Sequence, residues 1–145
     1  MSRFLPRAIG FAILSVLLMA VGSVIVLIVL VGAPTAGGVA AFQHEAASRA
    51  ESVDLIVGTL VMLLTGWLAG RPFAGRDAIF AAGLMAVVYI VIDLAIVFLF
   101  GDPAQIAVGT TGRSYAFKIV AALIGGWLAS RTPAFEPEPV PLDEE

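Results

Sequence analysis

The chain contains no cysteine and a single histidine, His44, and only 13% of its 145 residues are charged. The first absence excludes disulfides, thiolate chemistry and cysteine metal sites. The second excludes an HExxH metal helix and leaves His44 without a second imidazole for a zinc site. Phosphate-binding GxxxxGK[ST] loops and dinucleotide-binding GxGxxG turns are also missing, so no cofactor is expected. Ser52 and Ser114 have no histidine placed for a relay, and a non-enzymatic protein is the reading that follows. Soluble domains carry about 25% charged residues, so this chain has little that would hold it in water. A net charge of -3, concentrated in the last residues, also argues against a nucleic-acid partner.

What is present is apolar: 60% hydrophobic residues and a mean hydropathy of +1.03. Crossing a bilayer takes about 20 apolar residues, roughly 30 Å at 1.5 Å each. Four stretches have the length: Ala8 to Val31, Val53 to Gly70, Ala78 to Phe100 and Ser114 to Ser130. The expected fold is therefore all-α, a polytopic cell-membrane protein with four transmembrane helices in residues 1–131. The first stretch exceeds the about 7 to 15 residues of a signal-peptide core, so it is expected to be retained, although Ala36 and Val39-Ala40-Ala41 would permit cleavage. The fourth is the weakest. Lys118 leaves twelve uncharged residues before Arg131, so its stem must snorkel toward the nearer interface.

Arginines set the expected orientation. Arg3 and Arg7 precede the first stretch, Arg71 and Arg76 flank the second connection and Arg131 follows the fourth stretch, against Arg49 and Arg113 in the other two connections. The positive-inside rule puts both termini in the cytoplasm and the first and third connections outside. Arg3 and Arg7 can then meet anionic headgroups. Residues 132–145, which alternate Pro with Glu and end in Asp143-Glu144-Glu145, read as an extended, acidic cytoplasmic tail.

Gly66-Trp67-Leu68-Ala69-Gly70-Arg71-Pro72 returns sixty positions later as Gly126-Trp127-Leu128-Ala129-Ser130-Arg131-Thr132-Pro133. Two parallel two-helix repeats would produce this echo, with pseudo-symmetry about the membrane normal. Convergence on good helix-end chemistry would produce it too: Trp67 and Trp127 are interfacial anchors, Arg marks the cytoplasmic side and Pro stops the helix. Small residues mark the packing faces. Gly58, Gly66 and Gly70 lie at four- and eight-residue spacing below Asp54, and Ala122 and Gly126 form a second such face, where helix backbones can approach closely. Those faces serve packing inside the chain, contact with a second copy or contact with another membrane protein.

Asp93 interrupts the otherwise uncharged run from Ala78 to Gly101. An unpaired charge in hydrocarbon costs several kcal/mol, so it requires a partner, water or a function. The orientation brings Lys118 to a similar depth, with Asp54 as a second partner for that lysine and Tyr89 one turn from Asp93. These four form the candidate polar or coupling site, with Tyr115 near its mouth. The connection from Phe42 to Ser52 has no glycine or proline and reads as an interfacial helix or an extension of the second span, while Thr110-Thr111-Gly112-Arg113 reads as a polar turn. Two functions follow. The first is an accessory or assembly subunit, bound by lipids and by another membrane protein or a second copy. The alternative is an oligomeric transporter or channel for a proton, cation or small solute, with an outward polar vestibule.

Overall fold

The computed structural model describes residues 4–32, 38–101 and 108–132. Over these residues the chain is a four-helix bundle: α1 (Leu5–Val31), α2 (Val39–Gly70), α3 (Arg76–Phe100) and α4 (Val108–Arg131). The proline-rich acidic tail lies outside the described residues from position 133 onward, as do positions 1–3, including Arg3. Three helices, α1, α2 and α3, are long and apolar enough to cross a membrane by length and composition. Hydrophobic helices of this kind fit a multipass membrane protein. α4 differs because Arg113 and Lys118 interrupt its first half.

Two elements extend beyond the sequence expectation. α2 begins at Val39 rather than Val53, so the Phe42 to Ser52 segment is a continuation of the same helix. Its 32 residues rise about 48 Å, well beyond a bilayer core of roughly 30 Å. None of residues 39–52 is buried, and the surplus length therefore projects from the packed bundle. Thr110 to Arg113 forms the first turns of α4 rather than a separate polar turn. The reason is shared: neither segment contains a proline, and both continue into an apolar helix that has already met the cost of nucleation.

α2 and α4 form the most extensive helix pair, α3 packs on both, and α1 packs on α2 and α3. Small side chains make the central contact possible. A Cβ on Gly66 would lie 2.5 Å from the Ala122 carbonyl oxygen, and one on Gly125 would collide with the Leu63 carbonyl. α1 is the most lipid-like surface, exposing Leu5, Ile9, Ile13, Leu17, Val21 and Val24. Although α2 packs on α3, α1 and α4 barely touch, so the two hairpins are not related by a two-fold axis along the bundle. A Cβ on Gly66 would first meet Ala122 of α4, whereas one on its echo Gly126 would first meet Ala78, Ile79 and Ala82 of α3, although Gly126 also lies beside Gly70 of α2.

The bundle is close-packed at one end and open at the other. Buried residues of α1 stop at Met19 and those of α3 stop at Tyr89. The closed end carries Arg7, Arg71, Arg76 and Arg131, and Arg7 holds it together. Its Nη2 donates to the Leu68 carbonyl at 2.9 Å and its Nε to the Ala69 carbonyl at 3.3 Å. Residue 72, the usual donor to carbonyl 68, is proline and has no N–H, while the Phe73 N–H donates to Gly70 instead. Arg7 thus satisfies two orphan carbonyls at the end of α2 and is not a free headgroup contact, contrary to the sequence expectation. Phe4, one turn earlier, packs on Phe73 and Phe80. Arg7→Ala is expected to lower bundle stability by about 1.5–3 kcal/mol, the range for hydrogen bonds from a charged donor. Reversible unfolding in mixed detergent micelles measures this, and an unchanged midpoint would remove Arg7 from the fold.

Candidate functional site

The site lies where the bundle opens. Asp54 stands on α2 at the last turn before the projecting segment, Tyr89 and Asp93 follow one another by a turn on α3, and Ser114, Tyr115 and Lys118 occupy one face of α4. The Lys118 ammonium is 2.9 and 3.0 Å from the two carboxylate oxygens of Asp54 and 3.5 Å from the Tyr89 hydroxyl. These contacts hold the ammonium against Asp54, with the Tyr89 hydroxyl at the limit of hydrogen-bond distance. Ser114 donates a further hydrogen bond to Asp54 at 2.9 Å, and the Tyr89 hydroxyl donates to the Met19 sulfur at 3.0 Å.

Lys118 therefore pairs with Asp54, not with Asp93, which sequence depth alone made the first partner. Asp93 accepts a hydrogen bond from the Tyr115 hydroxyl at 2.6 Å and has no cationic partner among the described residues. Helix rotation decides this. Tyr89 and Tyr115 place their rings 5.7 Å from the Lys118 nitrogen, whose hydrogen bonds run to Asp54 on α2. Gly58 clears the way, because a Cβ there would sit on the Lys118 Cε. The glycine placed by sequence in a packing row is thus the passage for the lysine stem.

Burial is divided unevenly across the pair. The Lys118 side chain is 4% exposed, whereas that of Asp54 is 46% exposed and faces an open cavity of about 250 Å³. Asp93, Leu94, Val97, Thr111 and Tyr115 line the same cavity, and Glu51 closes its rim with a 3.1 Å ion pair to Arg113. Asp54, Asp93 and Glu51 contribute three formal negative charges, and Lys118 and the rim residue Arg113 two positive, which leaves the cavity and its rim one charge negative. Deeper, toward the closed end, the interior consists of Met62, Met85 and Ala86 with a Ser15–Thr65 hydroxyl contact of 2.9 Å.

The other singled-out residues lie elsewhere. Gly66, Gly70, Ala122 and Gly126 are inside the helix contacts at the closed end, while Trp67 and Trp127 stand there at the surface beneath Arg71 and Arg131, in cation–π contacts of 4.9 and 4.2 Å. His44 is exposed on the projecting part of α2, and among the described residues no group of three His, Cys, Asp or Glu side chains is placed to hold a metal. Sequence reasoning weighed Ser114 only as a nucleophile and Arg7 only as a topology marker and headgroup contact. Ser114 was legible as the residue one turn before Lys118, and Arg7 through the missing N–H of Pro72. Comparison with protein-family models, with curated proteins and with solved structures finds no match to the chain. The geometry of the vestibule is accordingly the basis for a functional reading.

Proposed function

We propose that this is a non-enzymatic four-span membrane protein that binds a small cation, a proton or a protonated amine, in a vestibule between α2, α3 and α4, as the coupling site of a transport protomer. One observation carries the reading: Asp93 lines an open cavity while the only nearby ammonium is committed to Asp54. A carboxylate so placed attracts positive charge, and within an apolar span it neutralises a travelling cation or takes up a proton. α4 serves as the fourth span because Asp54 compensates its lysine. The positive-inside rule, applied to Arg7, Arg71, Arg76 and Arg131 at the closed end, turns the vestibule outward.

An accessory role draws on the compact helices, the short acidic tail and the small-residue faces. Those faces pack α2 against α4 and α4 against α3, so they offer little to a separate partner. Because the interior narrows below Lys118, passage across the membrane takes an opening of the closed end or a second copy of the chain. Binding can be tested first. In lipid nanodiscs the wild-type protein is expected to bind methylammonium, and Asp93→Asn to weaken that binding at least tenfold while the protein stays folded. Equal binding by the two proteins, or none by the wild type, would overturn the vestibule reading.

A further inference from the structure

The same two carboxylates line a second cavity, of about 290 Å³, on their other side. Its remaining walls are Val16, Met19, Ala20 and Ser23 of α1 and Tyr89 and Ile96 of α3. It opens because α1 and α3 pack closely only in their first halves. Beyond Met19 and Tyr89 neither helix has a buried residue, and Ala20 and Ile96 stand exposed at the rim. Both helices are long and apolar enough to cross a bilayer, and on the four-span reading proposed above the gap between them faces acyl chains. Asp54 and Asp93 thus sit on the partition between a polar-mouthed vestibule and an apolar lateral cleft.

We propose that the cleft admits a cationic amphiphile, one protonated amine on an alkyl chain, from the bilayer to Asp93. The proposal rests on the vestibule reading and names the class of molecule it takes. The chemistry of the two sides selects that class. A hydrated inorganic cation has no route through acyl chains, because an unpaired charge there is expensive. A neutral hydrocarbon gains nothing, because the cleft walls of Val16, Ala20 and Ile96 are no more apolar than the lipid it would leave. An alkyl amine meets both demands: its chain stays among apolar side chains while its ammonium reaches the carboxylate that Lys118 leaves unpaired. The alkyl chain concentrates the molecule in the membrane, and the charge supplies the discrimination.

The test uses the full-length protein in lipid nanodiscs, with dodecylamine carrying a photoreactive diazirine near the amine and the matching dodecanol as control. The amine is expected to label peptides covering 16–23 and 89–96 at least tenfold more than the alcohol, with the label lost in Asp93→Asn. Ala20→Trp, which fills the cleft from an exposed position, should abolish labelling while methylammonium binding persists. Equal labelling by amine and alcohol, or undiminished labelling of Ala20→Trp, overturns the lateral route and leaves the vestibule standing. Absence of methylammonium binding in the wild type removes the vestibule, and the amphiphile site with it.

Discussion

Asp54→Asn is expected to be the most damaging change in the polar cluster, although Asp54 is the more exposed member of its ion pair. The Lys118 side chain is 4% exposed and hydrogen-bonds both carboxylate oxygens of Asp54. Removing the carboxylate charge leaves the buried ammonium beside two tyrosine rings without its counter-ion, a loss of about 1–3 kcal/mol, less than for a fully buried pair because Asp54 is itself 46% exposed. The reverse change is milder. Lys118→Met keeps an unbranched stem over Gly58 and removes the buried charge, while Asp54 still faces the open cavity and the Ser114 hydroxyl. The double variant should resemble Lys118→Met alone. Unfolding midpoints of the three variants in mixed micelles check the order, and Lys118→Met proving as harmful as Asp54→Asn would mean that the lysine charge is not what the pair neutralises. Lys118→Met should also tighten methylammonium binding, since the tethered ammonium that competes for the vestibule is gone.

Much of the fold was legible because hydrocarbon tolerates so few residue types. The run from Ala78 to Gly101, with one charge, bounds α3 to within two residues of Arg76–Phe100. α2 was less legible at its start: Gln43, His44, Glu45 and Arg49 end the apolar run at about Val53, but nothing there breaks a helix, and Glu45 and Arg49 form an i,i+4 ion pair at 3.2 Å. At the site, depth was readable and azimuth was not. Asp54 and Asp93 lie near the same level as Lys118, and only the rotation of α3, set by Ala78, Ala82 and Gly126 at its far end, turns Asp93 toward Tyr115. The echo of Trp67 and Arg71 in Trp127 and Arg131 was visible as letters. That an added Cβ would first meet α4 at Gly66 and α3 at Gly126 follows from packing, which no periodicity encodes.

Gly125→Ala should separate α2 from α4 and with them the two halves of the site. The added Cβ would meet the Leu63 carbonyl and the Trp67 amide nitrogen, the latter at 2.7 Å, and both are backbone atoms that cannot turn aside. Gly66→Ala meets the same kind of obstacle at the Ala122 carbonyl oxygen and Cα, 2.5 and 2.8 Å away. Either variant must move a whole helix, and destabilisation of roughly 4 kcal/mol or more is expected, as for other severe overpacking. Gly10→Ala is the control, since nothing lies within 4 Å of its Cβ position, and it should stay within about 1 kcal/mol of wild type. The consequence reaches the vestibule because the Lys118 stem crosses Gly58 two turns from this contact, and moving α4 outward draws the ammonium away from Asp54. Methylammonium binding by whatever Gly125→Ala protein folds should therefore fall along with stability, whereas Gly10→Ala should leave both unchanged. A Gly125→Ala protein of wild-type stability would show that the helices are not held at backbone contact, and the placement of Lys118 against Asp54 would lose its packing basis.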